Sequence, residues 1–345
     1  MEDATLKSIV DAMAVPAMVL SPDLRILQSN ADAEQYFDRR LVGIDVVRIL
    51  RQPEVRSLLT RVAELGTRQT TDVVIHRTTA RTFLVAVGPL RNGDPQRPNL
   101  LMTLTDISDQ LDAERSRSTF VANVSHELRS PLTTLLGAVE TLQGPARDNP
   151  KARERFLGLM QLETRRMSRL VGDLLNLAKQ EAKEHRRPET PIDINRVLSQ
   201  VRDALEASED YREGRIQIQT LENARVRGSE DDLFEAFRNV VENALRYSPP
   251  DSEVWIEVTR RRAEPGAGRD RLIIEVRDFG DGIETAHLPH LTERFYRVDK
   301  GRSREMGGTG LGLAIVKHIV NRHEGRLSIN SRTEKGTTVR ILLPV

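Results

Sequence analysis

Residues 1–108 alternate short apolar runs with turn residues. Ala17-Met-Val-Leu20, the turn Ser21-Pro-Asp and Arg25-Ile-Leu27 predict a hairpin. Asp72-Val-Val-Ile75 and Phe83-Leu-Val-Ala-Val87 flank a Thr-Thr-Ala turn and predict a second one. Leu100-Leu-Met-Thr-Leu104 follows an Asn92-Gly93 loop as a further strand. With a helical stretch around residues 29–65, this order predicts a small α+β module.

From Leu111 the period becomes helical. Phe120, Val124, Leu128, Leu132, Leu135, Leu136, Val139 and Leu142 recur at spacings of three and four. Gly144-Pro145 and Asn149-Pro150 interrupt the pattern. A second stripe then runs through Phe156, Leu159, Met160, Met167, Leu170, Val171, Leu174 and Leu175. Two such helices on a short loop predict an antiparallel hairpin over residues 109–186. A lone hairpin cannot bury both stripes, so a homodimeric four-helix bundle is its natural completion.

Arg186-Arg-Pro188-Glu-Thr-Pro191 reads as a linker. Beyond it, five partly alternating runs at 215–219, 254–258, 272–276, 326–330 and 338–342 predict strands. Helices are expected near 195–207, 230–246 and 311–323, giving an α/β layer structure over residues 187–345 with one sheet face covered.

Composition adds mostly exclusions. The 345 residues carry 52 basic and 51 acidic side chains, which argues against nucleic-acid binding driven by bulk charge. The chain has no cysteine, so disulfides and thiolate chemistry are absent. It shows no signal peptide and no run near the roughly 18 apolar residues of a membrane helix, so it reads as soluble and cytoplasmic.

Three polar blocks stand out in the last domain. On the helix containing Asn239-Val-Val-Glu242-Asn243-Ala-Leu-Arg246-Tyr247, Leu233, Phe234, Phe237, Val240, Val241, Ala244 and Leu245 mark the buried face. Asn239, Glu242, Asn243 and Arg246 share the other face. Amide and carboxylate oxygens suit Mg²⁺, and arginine suits phosphate. Asp278-Phe-Gly280-Asp-Gly282 follows an apolar strand. A carboxylate there can accept a hydrogen bond from an adenine amino group, and glycine lets a ligand approach the backbone. Gly307-Gly-Thr-Gly-Leu-Gly312 opens a helix, where free N–H groups and the dipole favour phosphate. Each block alone reads as a solvated face, a turn or a loop; their combination is specific.

A second candidate centre is Phe120-Val-Ala-Asn-Val-Ser-His126-Glu-Leu-Arg-Ser-Pro131-Leu. His126 sits in the helical stripe, and Glu127 is placed to accept the imidazole proton or orient the ring. Pro131 removes the helical hydrogen bond to the Glu127 carbonyl and predicts a kink. His287-Leu-Pro-His290 has few companion ligands and reads as an ordinary loop, and the basic runs around Glu264-Pro-Gly-Ala-Gly as a solvated connection.

These motifs resemble those of histidine kinases. Residues 239–247, 278–282, 295–299, 307–312 and 336–338 look like the nucleotide-site boxes, and residues 120–132 like the box of the phosphorylated histidine. The resemblance implies the ATP-binding sandwich shared with gyrase, Hsp90 and MutL. It implies ATP and Mg²⁺ as cofactors, with Asn243 and Glu242 toward the metal and Asn239 supporting the network. Arg246, Tyr247 and Arg297 would approach phosphates, Asp278 would read adenine, and Gly280, Gly282, Gly308, Thr309, Gly310, Leu311, Gly312 and Thr337 would shape the nucleotide site. Residues 299–308 would be a mobile lid. His126 would be the phosphorylation site, Glu127 the acid/base, and Ser130 would replace the threonine that aids regulator dephosphorylation in many relatives. The first 108 residues are similar to a PAS sensory domain. Arg51-Gln-Pro-Glu-Val and Glu140-Thr-Leu-Gln-Gly-Pro-Ala-Arg-Asp resemble the phosphate-regulon sensor kinases, implying a PhoB-like response regulator with a receiver domain as partner. Many such kinases have N-terminal membrane helices, which this chain lacks. The expectation is therefore a homodimeric sensor kinase, either soluble or tethered by a partner or a further segment. A regulatory phosphatase or scaffold, and a gyrase-like ATPase, are the competing readings.

Overall fold

A computed structural model describes residues 2–77, 79–90, 98–183, 187–207, 214–262, 269–299 and 308–345. The Asn92-Gly93 loop, Arg186, the Glu264-Pro-Gly-Ala-Gly connection and residues 300–307 of the expected lid lie outside these. The chain forms two compact units, Met1–Thr119 and Phe120–Val345.

The first unit contains helices α1 (Glu2–Asp11), α2 (Ala31–Phe37) and α3 (Pro53–Leu65), and strands β1 (Ala17–Leu20), β2 (Ile26–Ser29), β3 (Gln69–His76), β4 (Ala80–Leu90) and β5 (Asn99–Asp106). The strands make one antiparallel sheet in the order β2-β1-β5-β4-β3. The expected helical stretch around 29–65 is two helices separated by a 3-10 turn at Val46–Arg48. α3 begins with Pro53, whose missing N–H costs nothing in a first turn, and ends at Gly66 with φ 62°. Its Val55, Leu58, Leu59 and Val62 are buried against the sheet. α1 was not legible in the sequence pattern; its Leu6 and Val10 pack with Ala17 and Val19. Asn30 ties this region together. Its Oδ1 accepts from Ala17 and Ala33 N–H, both at 3.0 Å, and its Nδ2 donates to the carbonyls of Val15 and Met13 at 2.8 and 3.2 Å. All four bonds of a buried amide are therefore made, which is the condition for burying one.

Helix α4 (Ser108–Gln143) runs unbroken through Pro131, and α5 (Pro150–Lys183) returns along it. The kink expected at Pro131 does not end the helix. The stripes divide between partners. Leu170 and Leu177 of α5 belong to the core of the C-terminal domain, with Phe120, Leu128 and Leu174 packed against it. Leu132, Leu136, Val171 and Leu175 remain about half exposed.

The C-terminal part has β6 (Thr190–Asp193), α6 (Ile194–Glu206), β7 (Ile216–Gln219), β8 (Arg225–Gly228), α7 (Glu230–Tyr247), β9 (Val254–Arg261), β10 (Arg271–Arg277), α8 (Gly312–Arg322), β11 (Arg326–Ser331) and β12 (Thr337–Pro344). The five expected strands form a sheet in the order β11-β12-β10-β9-β7, with only β7 and β9 parallel. A small β6-β8 pair is additional. It corrects the linker reading, because Thr190 and Pro191 are strand residues opposite Gly228 and Arg227. Proline is tolerated there because a two-stranded ladder leaves edges without donors to satisfy. The large sheet buries one face under the helices, led by Phe237 of α7 and Val197, Leu198 and Val201 of α6. On α7, Ala236 is buried, whereas Phe234, expected inside, is only partly so. On the outer face the sole tryptophan, Trp255, stands opposite Arg277, half exposed, with its Nε1–H donating to Glu253 at 3.1 Å. Among the described residues no helix is long and apolar enough to cross a membrane.

His323, just past α8, is almost fully buried. Its Nε2 accepts the Ser229 N–H at 3.0 Å, so Nδ1, 2.7 Å from the Ile319 carbonyl, carries the proton. Burial depresses its pKa. Above about pH 6.5 both folded and unfolded states hold it neutral. Below that, the unfolded state takes up the proton more readily than the folded one, so acid destabilises the fold. Thermal unfolding between pH 7.5 and about pH 5.5 is expected to show a falling midpoint, with a shallower fall in His323→Asn despite its lower starting stability.

Candidate functional site

The polar face of α7, the turn after β10 and the start of α8 converge because each element must turn its apolar side to the same core. α7 is capped by Ser229, and its buried residues leave Asn239, Glu242, Asn243 and Arg246 on the opposite side. Together with Tyr247 they line a cavity of about 360 Å³. Asp278, Gly280, Gly282, Arg297, Gly308, Thr309, Gly310, Gly312 and Thr337 line it as well. Of the residues expected at the nucleotide site, Leu311 does not. Its side chain is fully buried in the core, and its N–H donates to Thr309 Oγ1 at 3.3 Å.

Asp278 organises the floor. Its Oδ1 accepts the N–H groups of Gly280 and Thr337, each at 3.0 Å. Burial raises the carboxyl's pKa, against the pull of those two bonds. Gly282 has φ 72°, and a Cβ there would fall 2.0 Å from the Arg332 carbonyl oxygen, so only glycine fits. Gly310, with φ 73°, lies against the backbone of Phe295, whose N–H donates to the Gly310 carbonyl at 2.8 Å.

Two further groups were missed by sequence reasoning. Ile283, Leu291, Ile329 and Val339 supply apolar wall, scattered over four segments with no common motif. Arg169 and Asp173, one turn apart on α5, also face the cavity; in sequence they read as the solvated side of a helix. Asp173 Oδ2 accepts the Thr309 hydroxyl at 2.5 Å. Burial pushes this carboxyl above the usual carboxylate range, opposed by that hydrogen bond.

His126 is not in the cavity. It is exposed and lines a separate open concavity with Glu127, Arg129, Ser130, Thr133 and Thr134. Glu127 links the two places. Its Oε2 accepts from Arg166 of α5 at 3.1 Å and from Arg297, a cavity residue, at 3.3 Å. Next to this contact the Phe120 and Phe295 rings lie 5.8 Å apart. His287, singled out in the sequence, instead shares a 2.7 Å hydrogen bond with the Tyr296 hydroxyl, and His290 pairs with Glu293.

The cavity suits a nucleotide in size, apolar wall and convergent polar groups. The oxygen donors expected to meet a metal are the Glu242 carboxylate and the amides of Asn243 and Asn239, and Asp173, Asp281 and Asp299 also line the cavity. No group of three His, Cys, Asp or Glu side chains among the described residues could hold an ion. Such an oxygen-only set fits Mg²⁺, which retains waters and takes its remaining ligands from phosphates. Glu242 is ion-paired with Arg246 one turn on, and Asn239 Nδ2 donates to Glu235 Oε1 at 3.0 Å.

Comparison with known proteins agrees with this geometry. Residues 116–183 match the His Kinase A (phospho-acceptor) domain, and residues 228–345 match the histidine kinase-, DNA gyrase B- and HSP90-like ATPase family. The phosphate regulon sensor protein PhoR of Pseudomonas aeruginosa is 42% identical over 69% of this chain and 52% of its own length. The sensor histidine kinase WalK of Bacillus subtilis is 38% identical over 71% of this chain and 39% of its own. The chain thus spans about half or less of these relatives. A solved histidine kinase, ThkA, in complex with the response regulator TrrA is 21% identical over 98% of this chain and 97% of that one, with a TM-score of 0.49. With an acceptor-histidine domain and the matching ATPase domain in one polypeptide, and PhoR among its similar relatives, the chain belongs to the sensor histidine kinases.

Proposed function

We propose that this chain transfers the γ-phosphoryl group of ATP to His126 and then to an aspartate of a separate response regulator. The observation that carries the reading is the position of Arg297, which lines the nucleotide cavity and also holds Glu127, the neighbour of the acceptor. We further assign residues 1–108 to a PAS-like sensor, 109–186 to the acceptor hairpin and 187–345 to the ATP-binding domain. The half-exposed Leu132, Leu136, Val171 and Leu175 favour a second copy of the hairpin as the cover for that face. Similarity to PhoR favours a role in the response to phosphate starvation, with a PhoB-like regulator as the partner.

Adenine selection falls to Asp278. One of its oxygens is already fixed by two backbone N–H groups, which orients the other for the exocyclic amine. Ile283, Leu291, Ile329 and Val339 supply the apolar surroundings of the ring. Asn243 and Glu242, with Asn239 beside them, would hold Mg²⁺, which when bound neutralises phosphate charge. Arg246 and Arg297 compensate the charge that develops on the transferred group and the leaving diphosphate. The nucleophile is an imidazole nitrogen of His126. As its bond to phosphorus forms, the bond from phosphorus to the β-phosphate oxygen breaks and ADP leaves. Glu127 accepts the imidazole proton or fixes the ring with the attacking nitrogen forward. Ser130, one turn past His126, offers a hydroxyl for orienting water when the regulator is dephosphorylated.

Labelling with γ-labelled ATP and Mg²⁺ is expected to give acid-labile, alkali-stable label on the wild type and none on His126→Gln. Both proteins should bind ATP equally by calorimetry. Absence of wild-type label with intact ATP binding would favour the regulatory phosphatase or scaffold. Glu127→Gln should label about a hundredfold or more slowly, with unchanged ATP affinity. Asp278→Asn keeps an oxygen for the two backbone donors but presents an NH₂ to adenine. Its ATP affinity should fall about tenfold or more, equivalent to ~1.4 kcal/mol.

A further inference from the structure

Asp173 belongs to the hairpin, yet it lines the nucleotide cavity and takes the hydroxyl proton of the glycine-rich loop. Thr309 has one such proton, and its oxygen is already engaged by the Leu311 N–H. Thr309 can therefore donate to Asp173 or to an incoming phosphate, but not to both. If Thr309 turned to phosphate, Asp173 would lose this hydrogen bond and be left, partly buried, between the Arg238 guanidinium and the like charges of Glu235 and Glu242. Withdrawal of α5 from the loop would return the carboxylate to water.

The second link in the same interface behaves alike. Arg297 and Arg166 both hold Glu127, but only Arg166 lies on the hairpin with it. Departure of α5 and α4 from the loop would leave Glu127 with Arg166 and end its contact with Arg297, whose side chain lines the cavity. Arg169, a turn before Asp173, presents positive charge to the cavity. The competition is thus for specific donors rather than a bulk repulsion between helix and nucleotide.

We propose that Asp173 is a nucleotide-sensing latch. The triphosphate and Asp173 compete for the Thr309 hydroxyl, so triphosphate binding detaches α5 from the glycine-rich loop and frees Glu127 from Arg297. This rests on the nucleotide-site reading above and adds to it a coupling between occupancy and release of the acceptor helix. The coupling is reciprocal: whatever weakens the latch tightens nucleotide binding by the same factor.

The test is calorimetric titration of the full chain with a non-hydrolysable ATP analogue and, separately, with adenosine, in the wild type, Asp173→Ala and Asp173→Asn. Affinity for the analogue should rise about fivefold or more in Asp173→Ala and by less in Asp173→Asn, which keeps an acceptor oxygen. Adenosine, which has no phosphate, should bind all three alike. In the wild type, hydrogen exchange in residues 120–131 should increase when the analogue binds. A merely structural aspartate would lower the unfolding midpoint and leave binding unchanged or weaker. That result, an equal gain for adenosine, or unchanged exchange would overturn the latch. Should Asp173→Ala fail to fold, the isosteric Asp173→Asn and the wild-type exchange measurement decide. Phosphorylation of His126 is scored separately in the wild type. A chain that binds the analogue without labelling His126 would sink the kinase reading while leaving the latch to stand or fall on its own data.

Discussion

The C-terminal sheet buries only one of its faces, and this constraint shapes the rest of the unit. Alternation along β9, β10 and β12 sends Ile256, Ile274 and Ile341 inward and leaves Glu257, Glu275 and Arg340 outside, where Arg340 pairs with Glu275 across the strands. Helices must therefore stack on the inner face, and α7 presses Phe237 and Val241 into it. A helix fixed on one side has its other side fixed too. The amides and charges of α7 are thus aimed as a consequence of packing, and the cavity forms where that polar face meets the strand-end turn of Asp278 and the start of α8.

The same inner layer accepts a visitor. α5 contributes Leu170 and Leu177 to this core, each worth about 1.5–3 kcal/mol of burial, and surrounds them with polar contacts. Gln180 donates to Asp232 at 2.9 Å, and Asp232 is also ion-paired with Arg322. Arg294 pairs with Glu181 at 2.7 Å while lying over the Phe120 ring. Contacts of this kind cost desolvation as well as giving attraction, so their net contribution is smaller than their number suggests. An apolar centre that holds and a polar margin that specifies the register are what a reversible docking surface needs.

Much of this architecture was legible in the chain. Period-two runs located the five strands of the large sheet, and the polar positions of α7 were grouped correctly from helical spacing alone. The glycine blocks marked turns where Gly282 and Gly310 adopt positive φ. What escaped has physical causes. α1 is short and half polar, so it becomes a helix through packing on β1 rather than through its own pattern. Pro191 suggested a linker because proline usually ends regular structure, but an edge strand tolerates it. The stripe on α5 mixes two destinations, since Leu170 and Leu177 enter the domain core while Val171 and Leu175 do not, and spacing cannot separate them. Asp173 and Arg169 look like ordinary surface charges until the fold brings Thr309 to the same helix. Leu311 was counted with the loop by its place in the motif, whereas its side chain is the first apolar anchor of α8.

Trp255, on the outer face of the sheet, has a consequence for observing this molecule. It is the only indole in the chain, and it reports from the side of the sheet opposite α7. Selectively excited emission therefore comes from one position in the Phe120–Val345 unit, with no contribution from the residues before it. Circular dichroism, by contrast, averages every helix and strand. Divergence of the two signals during denaturation would reveal the order in which the units melt, without any label being introduced.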